Sequence, residues 1–237
     1  PSQAKPVFGF NDSFAVPPEA AEAQLNRLEA DAGARVNRIV ISWADVDRDP
    51  TKQDWSIYDR RIASIRAAGM RPLIVIQGSP AWARPGLYCV SSAVFCPPDT
   101  AHLRYWERFS YQVAVRYPDA VAIEVWNEPN WRGAWGDSGG PSPESYAQLF
   151  RRSAGAIHYA LPSMPVLVGS LTYSPKDVSG GNMSIPTFLR RFAAAGGLDP
   201  LRSIDGIGIH PYPWIDEMET LTGQFATIMR QIRAERD

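Results

Sequence analysis

Short apolar runs rich in β-branched residues alternate along the chain with longer stretches in which apolar positions recur every three or four residues. Each run is too short for a buried helix and too continuous for a strand with one wet face. It therefore reads as a strand of a parallel sheet covered on both sides, and each longer stretch as a covering helix. The expected strands are 7–10, 36–41, 71–77, 120–127, 166–170 and 206–210. The expected helices are 17–32, 56–68, 99–116, 143–159, 186–195 and 219–236. Pro17 and Pro18 open the first helix, Asp99 is a good N-cap for the third, and Gly33 and Gly69 stop the first two.

Six βα units in succession place the chain in the α/β class and leave two architectures. A doubly wound sheet usually carries a glycine-rich phosphate loop after its first strand, but Phe10-Asn11-Asp12-Ser13 has neither the GxGxxG nor the GxxxxGK spacing. A (β/α)8 TIM barrel fits better, with only about its first six units present. Residues 1–237 then read as a single barrel domain that is incomplete at its C-terminal end. Polar and aromatic side chains gather just after the strands, at Asn11, Trp43, Gln77, Trp82, Asn127, Glu128, His210 and Tyr212. In a barrel those strand ends share one rim, where chemistry occurs.

Composition narrows the partners. With 45% hydrophobic and 21% charged residues the chain suits a globular domain with a sizeable core. Twenty-four basic residues nearly cancel 25 acidic ones, so no positive field is available for a nucleic-acid backbone or an anionic membrane. No apolar stretch approaches the roughly 20 residues that span a bilayer. Only Cys89 and Cys96 are available for disulfide chemistry, and both lie in one loop. Their spacing fits neither a CxxC redox pair nor a zinc knuckle; a local disulfide is expected, against two reduced loop thiols, and would mark an exported protein. The N-terminal residues show no leader pattern, and they read as a mature or trimmed end.

A neutral substrate directs attention to Glu128. Cleaving a glycosidic bond requires a proton donor for the departing oxygen and a second carboxylate that attacks the anomeric carbon or activates water. Glu128 stands at a strand's C-terminal end beside Trp126, whose indole would favour the protonated carboxyl, while Asn127 can bind a sugar hydroxyl. Residue types alone leave a second reading open, in which Asn127-Glu128-Pro129-Asn130 is a strand-ending turn.

Trp126-Asn127-Glu128-Pro129 resembles the acid/base signature of clan A retaining glycoside hydrolases, notably families 39 and 5. Further matches follow in order. Arg38 in the run Arg38-Ile39-Val40-Ile41-Ser42-Trp43 resembles an arginine that orients the nucleophile. Ser79-Pro80-Ala81-Trp82 is similar to a segment following the third strand in family 39-like enzymes. His210-Pro211-Tyr212 looks like a His-x-Tyr element whose tyrosine touches the nucleophile. The resemblance spans nearly the whole chain and implies a retaining β-glycosidase acting on β-linked oligo- or polysaccharides, with xylosides and glucans as candidates. It implies no cofactor, and a monomer when complete.

One departure stands against these matches. Family members carry the nucleophile glutamate at the end of strand seven, whereas this chain ends after helix six. Glu217 and Glu219 lie too close to His210 to sit on another strand, and they read as first-turn acids of that helix. The nucleophile is thus expected beyond the chain end, and the present residues alone are expected to be inactive, with strands one and six as exposed edges prone to aggregation. The competing reading is a carbohydrate-binding pseudoenzyme that has lost the nucleophile.

The remaining candidates divide between site and scaffold. Period-two counting puts Glu124 on the side of Glu128, below the rim, where a buried carboxylate needs a partner; Arg38 is the obvious one and is shared with the site. Trp131 and Trp135, and then Trp82 and Trp214, are read as platforms for sugar faces, against loop anchors. Trp55 and Trp106 are read as core. Asn11 and Gln77 complete the substrate-binding set. His102 and His158 fall on helices, so the three histidines form no metal site, and no GxSxG elbow is present. The sequons at Asn11 and Asn182 are read as chance.

Overall fold

In the computed structural model, residues 7–11, 18–84, 95–135, 139–197 and 205–211 are described. The apolar runs form six parallel strands in the order β1-β2-β3-β4-β5-β6, so each strand lies beside its neighbour in sequence. They are β1 (Gly9–Asn11), β2 (Val36–Ser42), β3 (Arg71–Gln77), β4 (Ala122–Asn127), β5 (Val166–Thr172) and β6 (Gly206–His210). The connecting helices are α1 (Glu19–Asp31), the short α2 (Trp43–Val46), α3 (Ser56–Ala67), α4 (Leu103–Arg116), α5 (Pro143–Ala160) and α6 (Ile185–Ala194). Sequential parallel pairing with helical crossovers is the pattern of a (β/α)8 barrel, of which six strands are present here. The helix expected over 219–236 lies outside the described residues.

Alternation along each strand sorts residues between two faces. Ile39, Ile41, Ile74, Ile76, Ile123 and Val125 point outward and join Trp106, Phe109, Phe150 and Ile157 from α4 and α5 in the core. Arg38, Val40, Val75 and Glu124 occupy the alternate positions, buried on the concave face. Each fully buried large side chain in the outer layer contributes about 1.5–3 kcal/mol. The caps follow local chemistry: Ser142 Oγ accepts the Ser145 amide hydrogen at 3.2 Å ahead of Pro143. Gly33 and Gly69 close α1 and α3 at φ of 99° and 79°, a conformation that costs glycine little.

Three elements depart from expectation. The expected third helix begins as a 3-10 turn over Thr100–His102, capped by the Asp99 carboxylate, before α4 proper. Only Gly9–Asn11 of the first strand pairs with β2, and β1 is exposed throughout, as an edge strand of the sheet. Helix α1 is packed polar side inward. Glu22, Asn26 and Glu29 are buried, whereas Leu25 and Leu28 are exposed. The cause is Asn37 on the outer face of β2, whose amide donates to Glu29 at 2.8 Å and to Asn26 at 3.3 Å. Arg61 of α3 closes the layer on Glu22 at 2.5 Å.

Candidate active site

The C-terminal ends of β4 and β6 bring together two of the expected site residues. Glu128 follows the last residue of β4 and is only 6% exposed, and its Oε1 lies 2.6 Å from His210 Nδ1 at the end of β6. Two lone pairs would repel at that distance, so the contact requires one proton between them, on either the imidazole or the carboxyl. Asn127 is buried beside Glu128, and its Oδ1 accepts a hydrogen bond from Arg38 Nη2 at 2.9 Å.

Arg38 serves scaffold and rim together. Its Nη2 also donates to Glu124 Oε1 at 2.7 Å, its Nε faces Glu124 Oε2 at 3.3 Å, and its Nη1 reaches Asn11 Oδ1 at 3.3 Å. The other obligation of Glu124 is met by the Ser170 amide, which donates to Oε1 at 2.8 Å. Buried charge is thereby both paired and hydrogen-bonded, the condition under which it persists in a low-dielectric interior. The chain runs from β1 through β2 to β4 within one network, and the carboxamide of Asn127 sits at its top.

The backbone of β4 breaks the period-two rule on which the placement of Glu124 and Glu128 rested. Trp126 and Glu128 adopt φ of 71° and 51°, uncommon for residues with a Cβ. The break turns both Val125 and Trp126 toward the helices and leaves Asn127 on the same concave side as Glu124, since Arg38 bonds both. Strict alternation would have put Trp126 inside and Asn127 outside. A side chain at position 169 would run into the Trp126 carbonyl oxygen, so the neighbouring strand has glycine there. The ring of Trp126 packs on Trp106 and Trp135 and its Nε1 donates to the Ala134 carbonyl at 2.7 Å, so the indole serves the core. The expected indole wall beside the carboxyl is corrected accordingly.

The tryptophans separate sharply. Trp131 is 41% exposed three residues past Glu128, and its amide hydrogen bonds the Glu128 carbonyl at 2.9 Å. Trp135, read from the sequence as a second sugar platform, is 1% exposed and wedged edge-on against Trp126 and Tyr146. No sugar face can reach it. Trp82 is held by its Nε1 donating to the Asp47 carbonyl at 2.7 Å and by edge contacts to Trp43 and Tyr105, the arrangement of a loop anchor. Trp43, expected at the rim, is fully buried with its Nε1 on Asp47.

Gln77 ends β3 at 4% exposure, and its Oε1 finds no hydrogen-bond partner among the described residues. The sequence presents Asn130 only as part of a turn. It is fully buried and works as a clip, donating to the Thr172 and Met183 carbonyls at 2.8 Å each and accepting the Thr172 amide at 2.9 Å. Tyr212, Trp214, Glu217 and Glu219 lie outside the described residues. So does Cys89; Cys96 is buried and is not a free thiol. Among the described residues no cluster of His, Cys, Asp and Glu has the makings of a metal site.

No family model and no curated protein matches the chain. Solved structures do. A family 39 β-xylosidase from Caulobacter crescentus superposes with a TM-score of 0.69 at 20% identity, over 95% of this chain and 50% of that one. The fold is shared. A family 39 enzyme from Xanthomonas axonopodis pv. citri gives 0.68 at 19% identity, over 95% and 47%. A family 30 endoxylanase from Clostridium papyrosolvens gives 0.59 at 16% identity, over 93% and 54%. The chain therefore spans about half the length of the structures that it matches, and the resemblance in fold is to glycoside hydrolase barrels.

Proposed function

We propose that this chain carries the acid/base half of a retaining glycosidase site, with Glu128 as the proton donor and β-linked xylosides or glucans as the substrate class. The observation that carries the reading is the Glu128 carboxyl itself, nearly buried at the C-terminal end of β4 and in contact with His210 across the rim. A carboxyl at that rim can protonate a departing glycosidic oxygen. As the resulting carboxylate it can take a proton from water, which then attacks the anomeric carbon and releases the sugar from a glycosyl-enzyme ester. Asn127, its Oδ1 held by Arg38, has amide hydrogens that can bind a substrate hydroxyl, and Trp131 is exposed beside the same turn. The similar fold of β-xylosidases from Caulobacter crescentus supports the substrate class.

The second carboxylate is assigned to a strand following β6, about 5–5.5 Å from Glu128 in the retaining arrangement. The test is hydrolysis of aryl β-xylosides and β-glucosides by the protein produced with whatever coding sequence follows Asp237, as wild type and as Glu128→Gln. Hydrolysis that drops about a hundredfold or more in the variant supports the assignment. Tight binding of xylo-oligosaccharides with no hydrolysis by the wild type would instead support the binding-protein reading.

A further inference from the structure

The break in β4 lies against one side chain from a helix. Tyr146, in the first turns of α5, is fully buried, and its hydroxyl donates to the Val125 carbonyl at 2.7 Å while accepting the Gly169 amide hydrogen at 2.9 Å. Val125 pairs with Val168, so Gly169 N–H and Val125 C=O are the two groups that a regular parallel ladder would bond to each other. The hydroxyl bonds both at once, so the Tyr146 side chain sits as a wedge against the β4–β5 seam. Beyond it the strand carries Trp126 at φ 71°, and pairing resumes with Asn127 beside Ser170 and with the Glu128 amide on the Ser170 carbonyl at 3.0 Å. The wedge is therefore placed where β4 changes which faces its residues present.

The ring is fixed independently of the hydroxyl. Trp135, Phe150, Phe188 and Phe192 surround it at centroid distances of 5.3–6.0 Å. Burial pushes the phenol well above its usual value, with the Glu124 carboxylate adding to the effect and the Gly169 amide opposing it. The group is thus a neutral hydroxyl, able to donate and accept at once, across the working range of pH.

We propose that Tyr146 is a positioning residue for the acid/base centre, its hydroxyl wedge between β4 and β5 setting the backbone turn that brings Asn127 and Glu128 to the rim. This rests on the assignment of Glu128, but its test does not. The chain has three histidines, so the ring nitrogens of His210 can be followed by 15N NMR as a reporter of the Glu128 contact. In Tyr146→Phe, which keeps the aromatic packing and removes only the wedge, the His210 signals and their pH titration are expected to move while those of His102 and His158 stay.

Phe150→Leu, which loosens the same aromatic cluster without touching the hydroxyl, should leave His210 in place. If Tyr146→Phe leaves His210 unchanged, or if Phe150→Leu moves it equally, the wedge is not what positions Glu128. Should the phenylalanine variant fail to fold, amide exchange in the wild type answers the same question. Gly169 should be protected as strongly as Ile123, and rapid exchange at Gly169 would overturn the proposal. Where glycosidase activity is present, Tyr146→Phe should lower kcat by about tenfold to a hundredfold, the usual cost of misplacing a catalytic group by an ångström or less. Movement of His210 with no glycosidase activity in the wild-type protein extended past Asp237 would uphold the wedge and sink the functional reading.

Discussion

Removing the carboxylate of Glu124 tests whether the interior of the half-barrel is organised around one buried ion pair. Glu124→Ala would take from the Arg38 guanidinium, 8% exposed in its side chain, the carboxylate that meets it with both oxygens. It would also strip the Ser170 amide of its acceptor. Stranding one partner of a buried pair costs about 3–5 kcal/mol, and an orphaned buried amide costs about 1–3 kcal/mol. The two effects share a site and overlap, so a loss of about 4 kcal/mol is expected, close to the whole stability of a marginal domain.

Arg38→Met together with Glu124→Leu removes both charges and fills the space with apolar atoms. The double variant should therefore be more stable than Glu124→Ala by at least about 2 kcal/mol. Urea unfolding monitored by tryptophan fluorescence measures each midpoint. A Glu124→Ala variant within about 1 kcal/mol of wild type, or a double variant as unstable as the sum of its parts, would refute the reasoning. Either result would mean that water or backbone movement relieves the stranded charge.

Other consequences are equally specific. Trp135→Ala should destabilise by about 3–5 kcal/mol through the cavity it opens beside Trp126 and Tyr146. Trp131→Ala should leave the unfolding midpoint nearly unchanged and weaken xylo-oligosaccharide binding in titration calorimetry; the reverse pattern would restore Trp135 as the platform. Arg116 beside Asp59 and Arg66 beside Asp119 hold those carboxyls below the usual aspartate range, by hydrogen bonds first and charge second. Because the folded values are depressed, their contribution is present above the unfolded value, near pH 4, and is lost as pH falls through the folded values. Thermal midpoints should thus decline below about pH 4, and less steeply in high salt because both pairs are surface-screened.

How much of this the chain announces depends on how local the cause is. β2, β3 and β6 are legible because a continuous apolar run between turns has one natural reading, and β3 and β6 form over the residues expected. The end of β4 is legible because Asn-Glu-Pro reads as a strand-ending turn. The polarity of α1 was not, since it depends on Asn37, an outward-facing residue on a different element. The break at Trp126 was hidden for the same reason. It depends on a hydroxyl from α5 and a glycine on β5, neither of which lies near it in sequence. Trp135 was misjudged because loop position says where a residue begins, and the aromatic cluster around Tyr146 decides where its ring ends.

The central claim concerns the proton that Glu128 supplies, and leaving-group chemistry isolates that proton. In the protein extended past Asp237, Glu128→Ala should hydrolyse a xyloside with a good leaving group, such as a dinitrophenolate, only as far as the glycosyl-enzyme. It should stall there for want of a base, and azide should restore turnover by releasing a β-glycosyl azide. On a poor leaving group the same variant should be nearly inactive with or without azide. Equal losses on both substrates, and no azide product, would remove Glu128 from the acid/base role.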